Sequence, residues 1–261
     1  MPPTTGLMTP MTLDFPGLPR GLEGLRIVHV SDLHVRRPRK RLDNAAEEIA
    51  GNPHDLMVIT GDSMVGPGDE PAALERVRLL VRASGARMGV VGVWGNHDSP
   101  VLRARMSDAG VRWLENSAWV CPDVPLSVLG VNCAYREVRG FSGDLTAALL
   151  SEAEQLAGQA ARFRILISHL PSWLAPASAC GVDLMLCGHT HGGQCCLPGG
   201  FPIVNATPDW PLRLSSGTVR MGGTRCVVSP GLGETYIRGL RLFCRAGMPL
   251  IALRSGAPGA A

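Results

Sequence analysis

The chain predicts a single α/β domain, with a βαβ-like first part and further strands added toward its C-terminus. Three observations carry this expectation. Short apolar runs of β type alternate with helical patterns from about residue 25 to residue 187. From Leu197 onward helical periodicity disappears, and β-type runs near 218–221, 225–229 and 249–253 are separated by Gly and Pro, which reads as mostly antiparallel pairing. Short polar motifs rich in His and Asp follow the ends of the apolar runs, at the edge where open α/β sheets gather ligands.

Taken in order, residues 1–20 are rich in Pro, Gly and Thr and predict an extended lead-in to a domain over 21–254, with a frayed tail over 255–261. The runs Leu25–Val30, Leu56–Thr60, Met88–Trp94, Leu126–Val131, Arg164–Ile167 and Asp183–Cys187 are mainly apolar, the pattern of strands buried on both faces. Helical spacing predicts helices at about 40–51, 71–83, 100–109 and 144–157. The third has a clean start, with Ser99 as cap, Pro100 at the first helical position and Gly110 as a stop signal. Asp144 is a similar cap candidate for the fourth.

With 45% apolar and 18% charged residues the chain can build a buried core, which excludes global disorder. A net charge of +3 is too small to argue for nucleic-acid binding. The eight cysteines, at 121, 133, 180, 187, 195, 196, 226 and 244, form no C-x-x-C and read as reduced, mostly buried thiols. No signal peptide is visible, and no run approaches the ~18 apolar residues of a membrane span. The expectation is a cytoplasmic enzyme, with peripheral membrane contact left open.

Five of the seven histidines fall in the polar motifs, which are Asp32-x-His34, Gly61-Asp62, Gly95-Asn96-His97-Asp98, Ser168-His169 and Gly188-His189-Thr190-His191. Two Asp, one Asn and four His from this series are enough donors for two metal ions sharing one carboxylate. Mixed imidazole and oxygen ligands suit Mn, Fe, Zn or Co better than Ca. Two such ions about 3.5–4 Å apart can clamp a phosphate and lower the pKa of a bridging water toward neutrality. His97 then reads as proton donor to the leaving oxygen, with Asp98 orienting its ring. Taken singly, His34 and His169 would more often be satisfied polar residues, and Asp62 after a glycine a turn or helix cap. His29, inside the first strand, and His54, in an Asn-Pro-His-Asp turn, are set aside as structural.

The ordered series from Asp32 to His191 resembles the calcineurin-like metallophosphoesterase superfamily. The stretches Gly188–Gln194 and Ser229–Gly233 are similar to its bacterial branch of YkuE-type phosphodiesterases and UDP-2,3-diacylglucosamine pyrophosphatases. The resemblance implies a four-layer αββα sandwich of two mixed sheets, with a dimetal site at the C-terminal edge of the strands. It implies two divalent transition-metal ions, Mn favoured, and hydrolysis of a phosphodiester or pyrophosphate bond by a metal-bridging hydroxide. The first ion would take Asp32, His34, Asp62 and His191. The second would take Asp62, Asn96, His169 and His189, with His97 as proton donor. Many relatives carry an N-terminal anchor or export signal, which the sequence does not show. The segment Cys244–Pro249 also lacks the acidic residue often found before the last strand.

Arg36-Arg37-Pro38-Arg39-Lys40-Arg41 places five cations in six residues after the first motif. Arg36 and Arg37 are therefore candidates for a second phosphate or an anionic membrane surface, weighed against a plain solvated helix start. Gly192 and Gly193 would let backbone N–H groups approach a phosphate, and Gln194 could add a side-chain contact. The expected substrate is a small or lipid-linked phosphoester. A nuclease or nucleotide phosphodiesterase would need stacking aromatics, and Trp94, Trp113, Trp119, Trp173 and Trp210 are spread out, so no nucleic-acid partner is expected. A non-catalytic module on the same fold would show eroded ligands, and none is eroded.

Overall fold

The structure, a computed structural model, describes residues 6–37, 40–133, 147–152, 162–204, 207, 209–235 and 240–256. Its strands divide between two six-stranded sheets. The first holds β1 (Met8–Phe15), β2 (Arg26–Val30), β3 (Leu56–Thr60), β4 (Val90–Val93), β5 (Arg112–Trp113) and β12 (Met248–Ser255). Their order is β1-β12-β2-β3-β4-β5, with β2 to β5 parallel. The second holds β6 (Ser117–Val120), β7 (Leu126–Val131), β8 (Phe163–Ser168), β9 (Leu184–Cys187), β10 (Gly217–Met221) and β11 (Thr224–Val228). Its order is β10-β11-β9-β8-β7-β6, with β7, β8, β9 and β11 parallel.

Successive side chains of a strand point to opposite faces, so a run apolar at every position must be covered twice. In β2 and β3, Ile27, Leu56 and Val58 face the second sheet, where they meet Val128, Ile165, Ile167 and Leu186. Val28, Val30, Met57 and Ile59 face the other way, against α1 (Lys40–Gly51), α2 (Glu70–Ser84) and α3 (Pro100–Arg105) through Ile49, Val77 and Leu102. The outer face of the second sheet, with Leu129, Leu166 and Met185, is covered by α4 (residues 147–152) and α5 (Leu174–Ala179) through Leu149, Leu150 and Leu174. These four layers form the αββα sandwich that the resemblance implied. Each fully buried Leu or Ile contributes about 1.5–3 kcal/mol by leaving water, and the inter-sheet layer and the helix-covered layer of the first sheet are apolar stores of similar size.

Several expectations are corrected. The lead-in over 1–20 contains an eight-residue strand, β1, which pairs parallel with β12 along its whole length. The C-terminal strands are not mostly antiparallel: β10–β11 and β12–β2 are, but β11–β9 and β1–β12 are parallel. Apolar alternation records which face is buried, not the direction of the neighbour. The helix expected over 100–109 stops at Arg105, although Ser99 caps it by accepting from the Leu102 N–H at 3.1 Å. The cap expected at Asp144 lies outside the described residues. Among the described residues no helix is long and apolar enough to cross a membrane.

The five motifs follow the C-terminal ends of β2, β3 and β4 in one sheet and of β8 and β9 in the other. Both sheets therefore deliver their polar loops to one edge of the sandwich.

Candidate metal centre

The strand exits force unusual backbone on the residues that carry the donors. Asp32, His34, Asp62, His189 and His191 all have positive φ, between 41° and 69°. For a residue with a Cβ this region costs roughly 1–2 kcal/mol, so five together persist only where the surroundings over-determine them. Two glycines permit the close packing that does so. A Cβ on Gly95 would collide with Asp62 Oδ1 and the Asp62 backbone N, and one on Gly188 with Ser31 Oγ and Asp32 Oδ2.

The side chains converge. His34 Nε2 lies 3.0 Å from His191 Nε2, and His191 Nε2 lies 3.4 Å from Asp32 Oδ1. His169 Nε2 lies 2.9 Å from His189 Nδ1. One oxygen serves both clusters: Asp62 Oδ2 is 3.4 Å from His34 Nε2 and 3.2 Å from His169 Nε2. The groups Asp32–His34–His191 and Asp62–His169–His189 each have donor atoms close enough to hold one ion. His34, Asp62 and His97 form a third such group between them. Asn96 Oδ1 is buried, with no hydrogen-bond partner among the described residues.

A chain of hydroxyls holds the first aspartate. His29 Nε2–H donates to Thr60 Oγ1 at 2.9 Å, Thr60 donates to Ser31 Oγ at 2.8 Å, and Ser31 donates to Asp32 Oδ2 at 2.6 Å. The His189 backbone N–H donates to both oxygens of the same carboxylate. His169 Nδ1 sits 2.8 Å from the Thr60 carbonyl, which can only accept; that nitrogen carries the proton, and Nε2 is turned inward. His54 bonds Asn52 O and Ser84 Oγ, away from the cluster.

The electrostatics suit a cation. Burial alone would raise the Asp32 carboxyl, but His191 and His34 beside it hold it below the ordinary range. Burial likewise opposes ionisation of Asp62, and His169 and His34 override it, so it too stays low. Burial works against a charge on His169, yet the Asp62 carboxylate pushes it up to about 9. For His191 burial wins, and the ring is pushed down to about 3. Two buried carboxylates among four imidazoles, with an orphaned amide oxygen beside them, fit a pair of divalent ions.

Not every expected site residue joins the cluster. Asp98 does not touch the His97 ring: it accepts from the backbone N–H groups of Asp62 (2.9 Å), Ser63 (2.7 Å) and Gly95 (2.8 Å). Burial and the nearby Asp62 carboxylate push Asp98 up to about 6 against the pull of those N–H groups. The ring of His97 is held instead by the Val65 carbonyl, 2.7 Å from Nδ1. Gln194 is fully buried, donates to Leu240 O and accepts from the Thr235 N–H, so it clips two loops together rather than facing a substrate. The Gly193 N–H donates to Thr190 O. Arg36 and Arg37 are exposed, Arg36 standing 3.7 Å from Asp69, while Arg41 pairs with Glu234 and Leu232 O. Residues Pro38 and Arg39 lie outside the described set.

Two carboxylates and four histidines at the strand ends of an αββα sandwich make a candidate centre for divalent metal ions. A family model described as calcineurin-like phosphoesterase matches residues 25–193, and the chain belongs to that family. It is 28% identical over 245 residues to the uncharacterized metallophosphoesterase YkuE of Bacillus subtilis (strain 168), covering 91% of this chain and 82% of that one. It is 27% identical over 240 residues to the phosphodiesterase YaeI of Escherichia coli (strain K12), covering 87% and 82%. The crystal structure of TT1561 of Thermus thermophilus shares the fold, with a TM-score of 0.53 at 13% identity over 80% of this chain and 90% of that one.

Proposed function

We propose that the chain hydrolyses a phosphodiester or diphosphate bond with two divalent transition-metal ions, manganese first among Mn, Fe, Zn and Co. The observation that carries this reading is Asp62 Oδ2, a single carboxylate oxygen that faces both histidine clusters. One ion would be held by Asp32, His34, Asp62 and His191, the other by Asp62, Asn96, His169 and His189. The buried, partnerless Asn96 Oδ1 supports the last assignment, because such an oxygen is costly unless something binds it. When bound, the ions supply Lewis acidity toward phosphoryl oxygens and hydroxide near neutral pH.

The residues around them supply the rest. The His97 backbone N–H fixes Asp62 Oδ1 at 2.8 Å, which turns Oδ2 toward both histidine clusters, where it would be shared if both ions were bound. With Nδ1–H held by Val65 O, the His97 ring has only Nε2 with which to protonate a leaving oxygen. The naming of the relative YaeI as a phosphodiesterase supports a diester as substrate.

The test is turnover of bis(p-nitrophenyl) phosphate by the metal-reconstituted chain. His97→Ala is expected to keep both ions and to lose about 10²–10⁴-fold in turnover. Asp62→Ala is expected to lower occupancy at both positions by elemental analysis. Full turnover without His97, or two retained ions without Asp62, refutes the assignments.

A further inference from the structure

Beside the metal centre the molecule exposes large apolar side chains on two loops. Leu197, Phe201, Ile203 and Val204 stand on the first, with Phe201 54% and Ile203 55% exposed. Leu240, Leu242 and Phe243 stand on the second, with Phe243 58% exposed. Among the described residues only three other large apolar side chains, Val101, Leu212 and Met221, are comparably exposed, and they lie elsewhere in the chain. The chain has five phenylalanines, and two of them are here. Apolar groups gathered in this way mark a surface that something covers.

The two loops form one fixed unit. The Cys196 N–H donates to Leu242 O at 2.9 Å, the Leu242 N–H to Gln194 O at 3.0 Å, and the buried Gln194 amide to Leu240 O at 3.1 Å. The Leu197 N–H closes the tip of the first loop on Phe201 O at 2.8 Å. The unit is anchored on a metal-donor residue, because Arg241 Nη1 and Cys244 Sγ both donate to His191 O.

Charge selects the occupant. Residues 195–204 and 240–247 contain no carboxylate. Adjoining the second loop is an open recess of about 350 Å³ lined by Arg41, Arg241 and Arg245. Arg41 pairs with Glu234, and Arg241 donates to the carbonyls of Pro230, Gly231 and Gly233. This leaves Arg245 as the cation turned to the recess without an ion pair among the described residues. Two acids border the recess, and both are buried and engaged: Glu234 against Arg41, and Glu48 accepting from the Leu7 and Met8 N–H groups. Two copies meeting through this face would bring like-charged rims together. A protein interface would be expected to carry about one hydrogen bond per 100–200 Å², whereas the side chains that this tip exposes, Leu, Ile, Val and Phe, offer no donor or acceptor. An anionic lipid offers acyl chains to the tip and a phosphate to the recess.

We infer that the loops 195–204 and 240–245 are a membrane-docking surface, which seats Phe201, Ile203 and Phe243 in the interface of an anionic bilayer. Docking in this way holds the donor cluster at headgroup level, through the His191 carbonyl. The inference concerns binding and does not depend on the hydrolytic reading.

The experiment is co-flotation of the full chain, with and without metal, on phosphatidylcholine vesicles and on phosphatidylcholine–phosphatidylglycerol vesicles. The expected result is binding to the anionic vesicles that weakens with salt. Phe201→Ala with Phe243→Ala should lower the partition coefficient by at least about tenfold, and Arg245→Gln by about fivefold. Unchanged thermal melting of these variants separates lost docking from lost folding. Absence of flotation, equal binding to pure phosphatidylcholine, or full binding by the double variant overturns the inference. So does a dimer by light scattering that the double variant converts to monomer, since the tips would then cover a second copy.

Discussion

Replacing Asp98 separates two roles that its place beside His97 confuses. Its Oδ2 accepts from the Asp62 and Gly95 N–H groups and its Oδ1 from the Ser63 N–H, so one carboxylate ties the second metal motif to the third. An asparagine turned with its oxygen at the Oδ2 position keeps two of these bonds and sets an NH₂ group against the Ser63 N–H. One buried unsatisfied donor costs about 1–3 kcal/mol. The neutral amide also removes repulsion from the Asp62 carboxylate, which places the expected loss for Asp98→Asn in the lower half of that range. At this chain length about 1 kcal/mol moves the melting midpoint by roughly 2–4 °C. Asp98→Ala orphans all three N–H groups, on the order of 3–9 kcal/mol, which is comparable to the ~5–15 kcal/mol that holds a typical domain folded. The assays are thermal unfolding of the metal-free chain, metal content, and the pH profile of diester turnover. The expected pattern is a small drop in stability and weaker retention of both ions for Asp98→Asn, with the pH profile of the remaining activity unchanged. A variant with native stability and native metal content, whose turnover collapses and whose profile loses its alkaline limb, the limb set by a proton donor, would refute this reasoning. It would return Asp98 to the orienting role beside His97.

Other outcomes follow from the same geometry. Gly188→Ala drives a methyl into Ser31 Oγ and Asp32 Oδ2 and should lower metal occupancy, measured by elemental analysis, while leaving the inter-sheet core and far-UV circular dichroism unchanged. The metal-free His169 ring holds its proton up to about 9, so ion binding at neutral pH should release that proton, and apparent affinity should rise about tenfold per pH unit below that point. Calorimetry in buffers of different ionisation enthalpy reads the proton directly, and buffer-independent heats would contradict it. In the metal-free chain the sign reverses: the raised His169 pKa stabilises the fold below the ordinary value of 6.5, and that contribution is lost as pH rises through about 9.

What is legible in the sequence, and what is hidden there, follows from where each group finds its partner. The donors of the metal centre can be read because each sits at the end of an apolar run, and parallel strands carry such ends to one edge regardless of the rest of the chain. Strand β1 is hidden because it is half exposed, carries Pro10 and breaks strict alternation, so its segment MTPMTLDF reads as a lead-in until β12 is beside it. Strand β5 has two residues and β6 is nowhere fully buried, too little for a period to register. Asp98 and Gln194 mislead for a shared reason. A carboxylate or amide next to a catalytic motif invites a chemical role, yet both groups are saturated by backbone atoms from distant stretches, Asp98 by loop 61–63 and Gln194 by residues 235 and 240. Local sequence shows which groups are polar but not which backbone N–H will arrive to occupy them. The same limit explains the apolar tip. In sequence Leu197–Val204 and Leu240–Phe243 carry no period that says which side chains will be covered. Only the fold leaves them facing outward, on turns that also bond the His191 carbonyl.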